Sequence, residues 1–328
     1  MMQKLLNSSI VVTALVAAVV GAVISLAVTS NASQGQTQGS SSRSSETPDG
    51  RPNFNGVWQA LNEAHWDLEA HEARPGMVMQ EGLYPYEYAQ VPAAPVLALG
   101  SAGGVPASIG VVQDDGMIPY KPETLRIKQE NGANWIDRDP ELKCYLPGIP
   151  RAMYMPYPFQ IVQGEDKIQM TFGFSNAARV IHLTDVTGPP DYTFMGHSVG
   201  RWEGDTLVVN VDYFNGKTWF DRAGNFHSEA LELTERFSPL SADAIWYEVQ
   251  ITDPETFTEP WTIAMPLYRR LEPNATALDY PCIEFSEEFM YGHLRREQLV
   301  QRWEGETIIV DITRKIPAGD ALHDWYRR

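Results

Sequence analysis

The stretch that decides the fold is Gly200–Val211, which reads GRWEGDTLVVNV. A Gly-Asp pair separates a segment carrying Trp202 from a β-branched, alternating segment, a pattern typical of a two-residue hairpin loop. With that loop, Trp202 faces Leu207 and, further along the ladder, His197 faces Asp212. The motif predicts strands and a turn, and no chemistry by itself.

A second copy, Gln301–Ile312, reads QRWEGETIIVDI and predicts the same register near the C-terminus. Between and before the copies, other segments also show strand patterns, in several of them as an alternation of apolar and polar residues. These segments are Phe159–Gln163, Ile168–Phe172, Arg179–Leu183, Leu231–Phe237, Ile245–Ile251 and Trp261–Tyr268. Phe54–Gln59 adds a short strand whose Gly-x-Trp pattern resembles the first strand of lipocalin-like barrels.

This pattern predicts an all-β (β-rich) fold, an antiparallel up-and-down meander that ends with the second hairpin. Closure into a lipocalin-like barrel is favoured because it removes the free sheet edges. A sandwich or a small propeller remains an alternative. Two motif copies about 100 residues apart are, however, too sparse for propeller blades of about 40–50 residues.

The residues before the meander are less regular. Ala60–Glu72 is rich in helix formers and predicts an N-terminal amphipathic helix, with its His residues beside carboxylates at helical spacing. Such pairs suit an ion-paired face, which is favoured, or a metal site. Pro122–Asn131 predicts a short helix. Pro85–Pro122, rich in Pro, Gly, Ala and Tyr, predicts an irregular segment at one barrel mouth, as a lid, an oligomer contact or a wrapped loop.

The N-terminus indicates export. Lys4 precedes an uncharged run, Ile10–Val28, whose length of about 19 residues fits a signal-peptide core or a membrane anchor. We therefore expect residues 1–32 to be a signal peptide or anchor and residues 33–50 a disordered linker. The rest, 51–328, is expected to be one β-rich domain with a helical and irregular part (51–150) and a strand meander (151–328). The location is periplasmic or secreted, with membrane contact only through residues 10–28 if they remain attached.

Charge excludes one class of partner. The chain of 328 residues has a formal net charge of −17. Nucleic-acid affinity depends on Lys and Arg that neutralise phosphates, so no nucleic-acid partner is expected. The sequence does not indicate an oligomeric state.

The chain contains two cysteines, Cys144 and Cys282. In an exported protein an isolated pair favours a disulfide, and two unpaired buried thiols are the alternative. Closing a loop of more than 100 residues contributes about 4–5 kcal/mol in the chain-entropy model.

Alternation singles out Glu235 as a catalytic candidate, because it falls on the apolar face of its strand. Tyr247 falls on the apolar face of the partner strand. A carboxylate in an apolar setting is paired or protonated, and a raised pKa suits a general acid or base. The alternatives are a Glu bonded to an interior Arg or to a Tyr hydroxyl, or a bulge that turns it outward. Arg179 is the interior Arg that suits this pairing, or an anionic ligand.

His227, beside Ser228 and Glu229, is the second catalytic candidate, as a base near a barrel mouth. His197 with Asp212 is a candidate ligand-binding pair or a surface cross-strand pair. Arg151, after a Pro-Gly-Ile-Pro run, joins Arg179 and Tyr247 as a candidate ligand-binding residue. No zinc-protease, dithiol, phosphate-loop or dinucleotide motif occurs, so no metal or cofactor is expected.

Several motifs together resemble those of a widespread family of exported bacterial proteins to which no biochemical activity is assigned. They read WQALN (58–62), WDLE (66–69), CYLPGIPR (144–151), PYPFQIVQ (156–163), SVGRWEGDTLVV (198–209), DRAGNFHS (221–228) and CIEF (282–285). The likeness spans nearly all of the mature chain. It implies export and carries over no catalytic residue.

Three functions follow as hypotheses. The first is binding of a small, partly apolar molecule inside the barrel, with aromatic side chains for contact area and Arg or Glu for orientation. The second is a cofactor-independent hydrolase, lyase or isomerase that uses Glu235 and His227. The third is an envelope interaction or structural protein whose barrel is filled by its own side chains.

Overall fold

The structure is a computed structural model that describes residues 45–72, 74–75, 77–81, 88–92, 104–105, 107–283, 297–304 and 307–317. The chain divides into two compact units, Met1–Thr47 and Pro48–Arg328. The barrel and the sites below belong to the second unit. The predicted signal segment lies outside the described residues.

Strands dominate the described part of the chain. The elements before the barrel meander are β1 (Gly56–Ala60), β2 (Arg74–Pro75), β3 (Met77–Glu81), β4 (Tyr88–Pro92), β5 (Gly104–Val105), α1 (Pro122–Ala133), α2 (Trp135–Arg138), a 3₁₀ helix (Glu141–Lys143) and α3 (Arg151–Tyr154). They are followed by β6 (Phe159–Gln163), β7 (Lys167–Phe172), β8 (Ala178–His182), β9 (His197–Glu203), β10 (Thr206–Asp212), β11 (Glu232–Ser241), β12 (Ala244–Thr252), β13 (Trp261–Arg269), β14 (Glu297–Glu304) and β15 (Thr307–Pro317).

Nine strands form a closed barrel in the order β1-β13-β12-β11-β10-β9-β8-β7-β6. β6 to β13 follow one another around the barrel, and β1 closes it, pairing Trp58 with Phe159 on one side and with Arg269 on the other. The predicted all-β barrel is thus confirmed. The Trp58 ring is buried and its Nε1 donates to the Phe54 carbonyl at 2.8 Å.

One pair departs from the expected antiparallel pattern. β8 and β9 run parallel and pair over only two positions, Ile181 with Ser198 and His182 with Val199. A parallel pair requires the chain to cross back between its strands, and residues 183–196 do so. The first half of β8, Ala178–Val180, therefore pairs with β7 alone, which leaves a gap in the strand pairing beside the start of β9.

The first hairpin has the predicted register, with Trp202 opposite Leu207 and His197 opposite Asp212. Its C-terminal copy has the same local register, with Trp303 opposite Ile308. The prediction that this copy ends the barrel meander is wrong, because β14 and β15 form a separate two-stranded sheet. β1 already occupies the free edge of β13, so the barrel has no place for another hairpin.

The predicted helix over Ala60–Glu72 is also wrong, since residues 61–72 form turns and bends. Asn62 and Asp67 side chains accept hydrogen bonds from the backbone two residues on, at 3.1 and 3.0 Å, which competes with helical bonding. Leu68 is fully buried and its N–H donates to Asp221 Oδ2 at 2.9 Å. Tertiary bonds thus decide the backbone here.

The other two predictions for this region fare differently. The short helix predicted at Pro122–Asn131 is present as α1. The predicted irregular segment falls partly outside the described residues. Its described end, 107–121, lies along β13, where Gln113 N–H donates to the Thr262 carbonyl at 2.9 Å.

Candidate functional site

Glu235, Arg179 and Tyr247 meet inside the barrel, and we call them the interior cluster. Arg179 Nη1 and Nη2 donate to Glu235 Oε1 and Oε2 at 3.2 and 2.8 Å. Tyr247 Oη donates to Glu235 Oε1 at 2.7 Å. Glu235 and Tyr247 are fully buried and Arg179 is 5% exposed. The alternation of β8, β11 and β12 brings the three together, and this is the Arg–Glu pairing that the sequence favoured.

Both carboxylate oxygens of Glu235 are engaged in this cluster. Burial, and then the charge of Glu235, raise the pKa of Tyr247 well above its usual value, so the phenol keeps its proton and donates it. An Arg bound through two parallel bonds is a strong, fixed partner for a carboxylate. The contacts of Glu235 are therefore those of a structural ion pair.

His227 lies in a different environment. Its Nδ1 is 2.8 Å from the Ser228 carbonyl, so it carries the proton, and Thr218 Oγ1 donates to Nε2 at 2.6 Å. Burial lowers the pKa of His227, which favours this neutral form. No described hydrogen bond links His227 to Glu235, so hydrogen bonding does not join the two predicted catalytic residues.

Arg151 belongs to a second buried group, the loop cluster, formed by Asp139, Glu141, Arg151 and Arg222. Arg151 donates to Asp139 at 2.8 and 2.7 Å and to Glu141 at 3.3 Å. Arg222 reaches the same Glu141 at 3.2 Å. The Arg222 guanidinium also lies 4.7 Å from the centre of the Trp66 ring. The predicted ligand-binding Arg151 is thus engaged by protein carboxylates.

Sequence reasoning missed the other three members of the loop cluster and the neighbouring Asp221. These residues lie in loops or short helices, where no alternation marks an inward-facing side chain. The one available signal was the run Asp221–Ser228 in the family-like motifs, which contains Asp221 and Arg222. Burial and the nearby Asp67 raise the pKa of Asp221 to about 8.

The disulfide predicted between Cys144 and Cys282 is present, with a Cα–Cα distance of 5.4 Å. Cys144 follows the 3₁₀ helix that carries Glu141 and adopts a left-handed backbone at φ 61°. Cys282 Sγ lies 3.9 Å from the Glu141 carbonyl. The bond therefore fastens the segment around Cys282 beside the loop cluster.

A cleft of about 560 Å³ opens at the gap between β8 and β9. Its walls combine apolar and aromatic side chains with a few polar ones. The apolar and aromatic members include Leu146, Pro189, Tyr192, Phe194 and Met195, and the polar members are Arg179, His182, Thr193, His197, Ser198 and Asn215. Arg179 is among the residues that line this cleft, while its guanidinium belongs to the interior cluster.

Two buried polar atoms of inward-facing residues on β8 and β9 have no hydrogen-bond partner within the described structure, Arg179 Nε and Ser198 Oγ. Most buried polar groups in proteins are paired, so each such atom calls for an explanation. Arg179 Nη1 and Nη2 each donate to Glu235, and the Nε–H does not take part in that pairing.

Two histidines line the same cleft. The rings of His182 and His197 are 5.7 Å apart, centre to centre. His197 Nδ1 lies 3.7 Å from Asp212 Oδ1, so the predicted cross-strand pair exists as a contact, with Asp212 half exposed. Burial, then His197 and Lys167, lower the pKa of His182.

A second cleft, of about 660 Å³, is lined by carboxylates that include Asp114, Asp115 and Glu259. These three residues are exposed, so water screens their charge. Lys128, which also lines it, lies 3.5 Å from Glu69. Nothing at this cleft specifies a ligand.

Within the described ranges, no group of three or more His, Cys, Asp or Glu side chains has a geometry that could hold a metal ion. In the same ranges, no helix is both long and apolar enough to cross a membrane.

Comparison of the chain with protein-family models, with curated proteins and with solved structures gave no match.

Proposed function

We propose that the protein binds a small, partly apolar molecule in the cleft between β8 and β9. The observation that carries the proposal is the gap in the strand pairing between β8 and β9, where the parallel pair covers only two positions and a cleft of about 560 Å³ opens. Clefts of this size, apolar and aromatic with a few polar groups, are typical of small-molecule sites.

The cleft is a better location than the centre of the barrel. At the level of Glu235 the interior is occupied by the interior cluster and by Phe237 and Val249, all within the buried core. A ligand there would have to displace packed side chains. In the cleft, Tyr192 and Phe194 already provide apolar contact area beside polar groups.

A cleft-filling variant tests the proposal. Ala178 is exposed and lines the cleft, so Ala178→Trp adds a large side chain there without touching the interior cluster. Gln250→Trp is the matched control, because Gln250 is exposed on β12 and lies outside the cleft lining.

The probe is N-phenyl-1-naphthylamine, a neutral apolar fluorophore. We expect saturable binding to the unmodified protein, weakened at least about tenfold by Ala178→Trp alone. Equal binding by all three proteins would refute the site.

We also propose that the protein is exported to the periplasm or secreted, and that it contacts a membrane only if residues 10–28 stay attached. The support is the uncharged N-terminal run and the disulfide, since disulfides persist in oxidising compartments. Cell fractionation, with alkylation of free thiols before and after reduction in each fraction, tests this. Recovery of the protein in the cytoplasmic fraction with two reactive thiols before reduction would contradict it.

A further inference from the structure

We infer that the molecule bound in the β8–β9 cleft is a short, uncharged, extended peptide that pairs through its main chain with the free edge of β8. This inference rests on the proposed function and names its ligand class.

The main chain of β8 directs hydrogen-bonding groups into the cleft. Leu183, the residue after β8, donates its N–H to the Asp166 carbonyl at 2.9 Å, on the β7 side. In an antiparallel pair, the main-chain groups of successive residues alternate between facing the partner strand and facing away from it. The β7–β8 register is regular, so Ala178 and Val180 direct their main-chain groups away from β7, towards the cleft.

The chain before β9 does not bond this edge. If the parallel ladder continued, Ala178 would bond Phe194 and Gly196, and Val180 N–H would donate to the Gly196 carbonyl. The ladder begins only at Ile181, and within the described ranges no main-chain bond of this kind continues it. The N–H and C=O of Ala178 and the N–H of Val180 therefore form a free strand edge.

The crossover chain is held elsewhere, which keeps the edge open. Thr193 Oγ1 donates to the Gly196 carbonyl at 3.2 Å, in place of the missing donor from β8. Thr193 N–H donates to the Tyr213 carbonyl at 2.8 Å, and Asn215 N–H donates to the Thr193 carbonyl at 3.0 Å. These bonds tie the segment before β9 to the chain that follows β10, and not to β8.

The free edge is accessible and short. Ala178 is exposed, Val180 is half-buried, and both line the cleft. The edge is bounded by the turn at Ala177 and by the ladder that begins at Ile181. The stretch between them spans about 10 Å at the rise of a strand, which fits a segment of about three residues. A free edge is a template for an added strand, and this length favours a short peptide over the long strand of a second copy.

The walls of the cleft favour an uncharged peptide with apolar side chains. Among the described residues that line the cleft, Arg179 alone carries a fixed charge, and its guanidinium donates to Glu235 at 2.8 Å. Tyr192 and Phe194 offer aromatic surface to a side chain of the peptide. In strand addition, main-chain bonds supply affinity and such surfaces supply selectivity.

Three peptides test the class. They are N-acetyl-Val-Phe-Val-amide and two isomers of it that carry one N-methyl group, on the phenylalanine nitrogen or on the following valine nitrogen. Neighbouring N–H groups of a strand face opposite sides, so only one isomer loses the N–H that faces β8. Each peptide competes with N-phenyl-1-naphthylamine on the unmodified protein. We expect the unmethylated peptide to displace the probe and one isomer to bind at least about tenfold more weakly than the other.

Ala178→Pro connects the binding to the β8 edge. It removes the N–H that faces the cleft and no bond to β7, and proline is tolerated at strand edges. Ala178→Val is the matched control, because valine is similar in size and keeps the N–H. We expect Ala178→Pro to bind the unmethylated peptide at least about fivefold more weakly than Ala178→Val. Both variants should bind the apolar probe equally, which shows that both are folded.

The outcomes separate the two proposals. Equal affinity of the two methylated isomers, or no displacement of the probe by any peptide, overturns the peptide inference and leaves the cleft as a binding site. Equal peptide binding by Ala178→Pro and Ala178→Val overturns the role of the β8 edge. A dimer in solution that Ala178→Pro alone abolishes would assign the edge to a second copy and overturn the inference as well. Probe binding that Ala178→Trp does not weaken overturns the proposed function itself. The comparison of the isomers uses the unmodified protein, so a folding defect cannot hide the answer.

Discussion

The interior cluster and the loop cluster are both buried and both balance their charges, but they are built differently. The interior cluster has one cation and one carboxylate, held by strands and joined across 56 residues of sequence. The loop cluster has two cations and two carboxylates, held by loops and short helices, with Glu141 shared between Arg151 and Arg222. The interior cluster has a single charge pair, whereas in the loop cluster Glu141 bonds two cations.

The difference teaches where a single substitution is costly. If either charge of the interior cluster is removed, the other is left buried without compensation. If Arg222 is removed, both Glu141 and Asp139 keep a bond from Arg151, although one cation then faces two carboxylates. Buried ion pairs contribute little net stability, but breaking one is costly, and the cost depends on what remains.

Glu235→Gln should have the largest effect. The amide keeps the shape and can accept from Tyr247, but it leaves Arg179 as an unbalanced buried cation. We expect a loss of about 3–5 kcal/mol in the free energy of unfolding. Urea unfolding followed by tryptophan fluorescence measures it.

The double variant Arg179→Met/Glu235→Met is the control for that prediction. It removes both charges and should recover most of the loss, since apolar residues of similar volume often replace a buried pair without cost. A double variant as unstable as Glu235→Gln would show that lost packing, and not the orphaned charge, explains the effect.

The same contrast explains what the sequence could predict. Alternation placed Glu235 and Tyr247 on inward faces, and the Gly204-Asp205 turn gave the register of His197 and Asp212, because a strand has a fixed two-residue period. The parallel β8–β9 pair could not be predicted, since it depends on how residues 183–196 return the chain. The cleft lies at that pair and could not be predicted for the same reason.

The loop region was harder to predict for a second reason. The helix expected at Ala60–Glu72 satisfied local propensity, but Asn62 and Asp67 bind their own backbone and Leu68 donates to Asp221. Such long-range bonds produce no periodic pattern in the amino-acid sequence. The single cysteine pair was predictable because two cysteines allow one pairing.

Loss of the disulfide should have the next largest effect and should act most strongly at the loop cluster. The bond closes a sequence separation of 138 residues and lies beside Glu141. Cys144→Ser/Cys282→Ser should lower the free energy of unfolding by about 3 kcal/mol, less than the chain-entropy value because unfolded chains retain some structure. Hydrogen exchange should accelerate in β11 and β12 by the amount that this global loss implies, and should accelerate further at the amides of residues 139–145. Equal acceleration in both regions would mean that the bond stabilises the fold globally and not the loop cluster in particular.

Arg222→Met tests whether the second cation bonded to Glu141 limits the cost of losing the first. The variant removes bonds to Glu141 and the contact with Trp66, but Glu141 keeps its bond from Arg151, which Asp139 shares. We expect a loss of about 2 kcal/mol, smaller than that of Glu235→Gln. Arg138→Met is the matched control, because Arg138 pairs with Glu130 at the surface and should cost less than about 1 kcal/mol. A loss as large as that of Glu235→Gln would remove the distinction between the clusters.

The smallest predicted effect is a fall in the free energy of unfolding as pH rises. It comes from the carboxyls beside the loop cluster. Burial and Asp67 raise the pKa of Asp221 to about 8, far above its value in the unfolded chain. A carboxyl with a raised folded pKa contributes stability that is present below its unfolded pKa and is lost as pH rises through the folded pKa. The free energy of unfolding should therefore fall between about pH 7 and pH 8 by at most about 1.4 kcal/mol, and level off by about pH 9.

Asp67→Asn should flatten that decline, because it removes the neighbouring charge that helps to raise the pKa of Asp221. The buried histidines do not contribute to the pH dependence in this range. The lowered pKa of His65 and of His227 costs stability only as pH falls below about 6.5, outside this range. Asp114→Asn is the control, since Asp114 is exposed and its left-handed backbone suits Asn. If Asp67→Asn keeps the decline of the unmodified protein, as Asp114→Asn should, the charge of Asp67 does not help to raise the pKa of Asp221, and burial alone accounts for it.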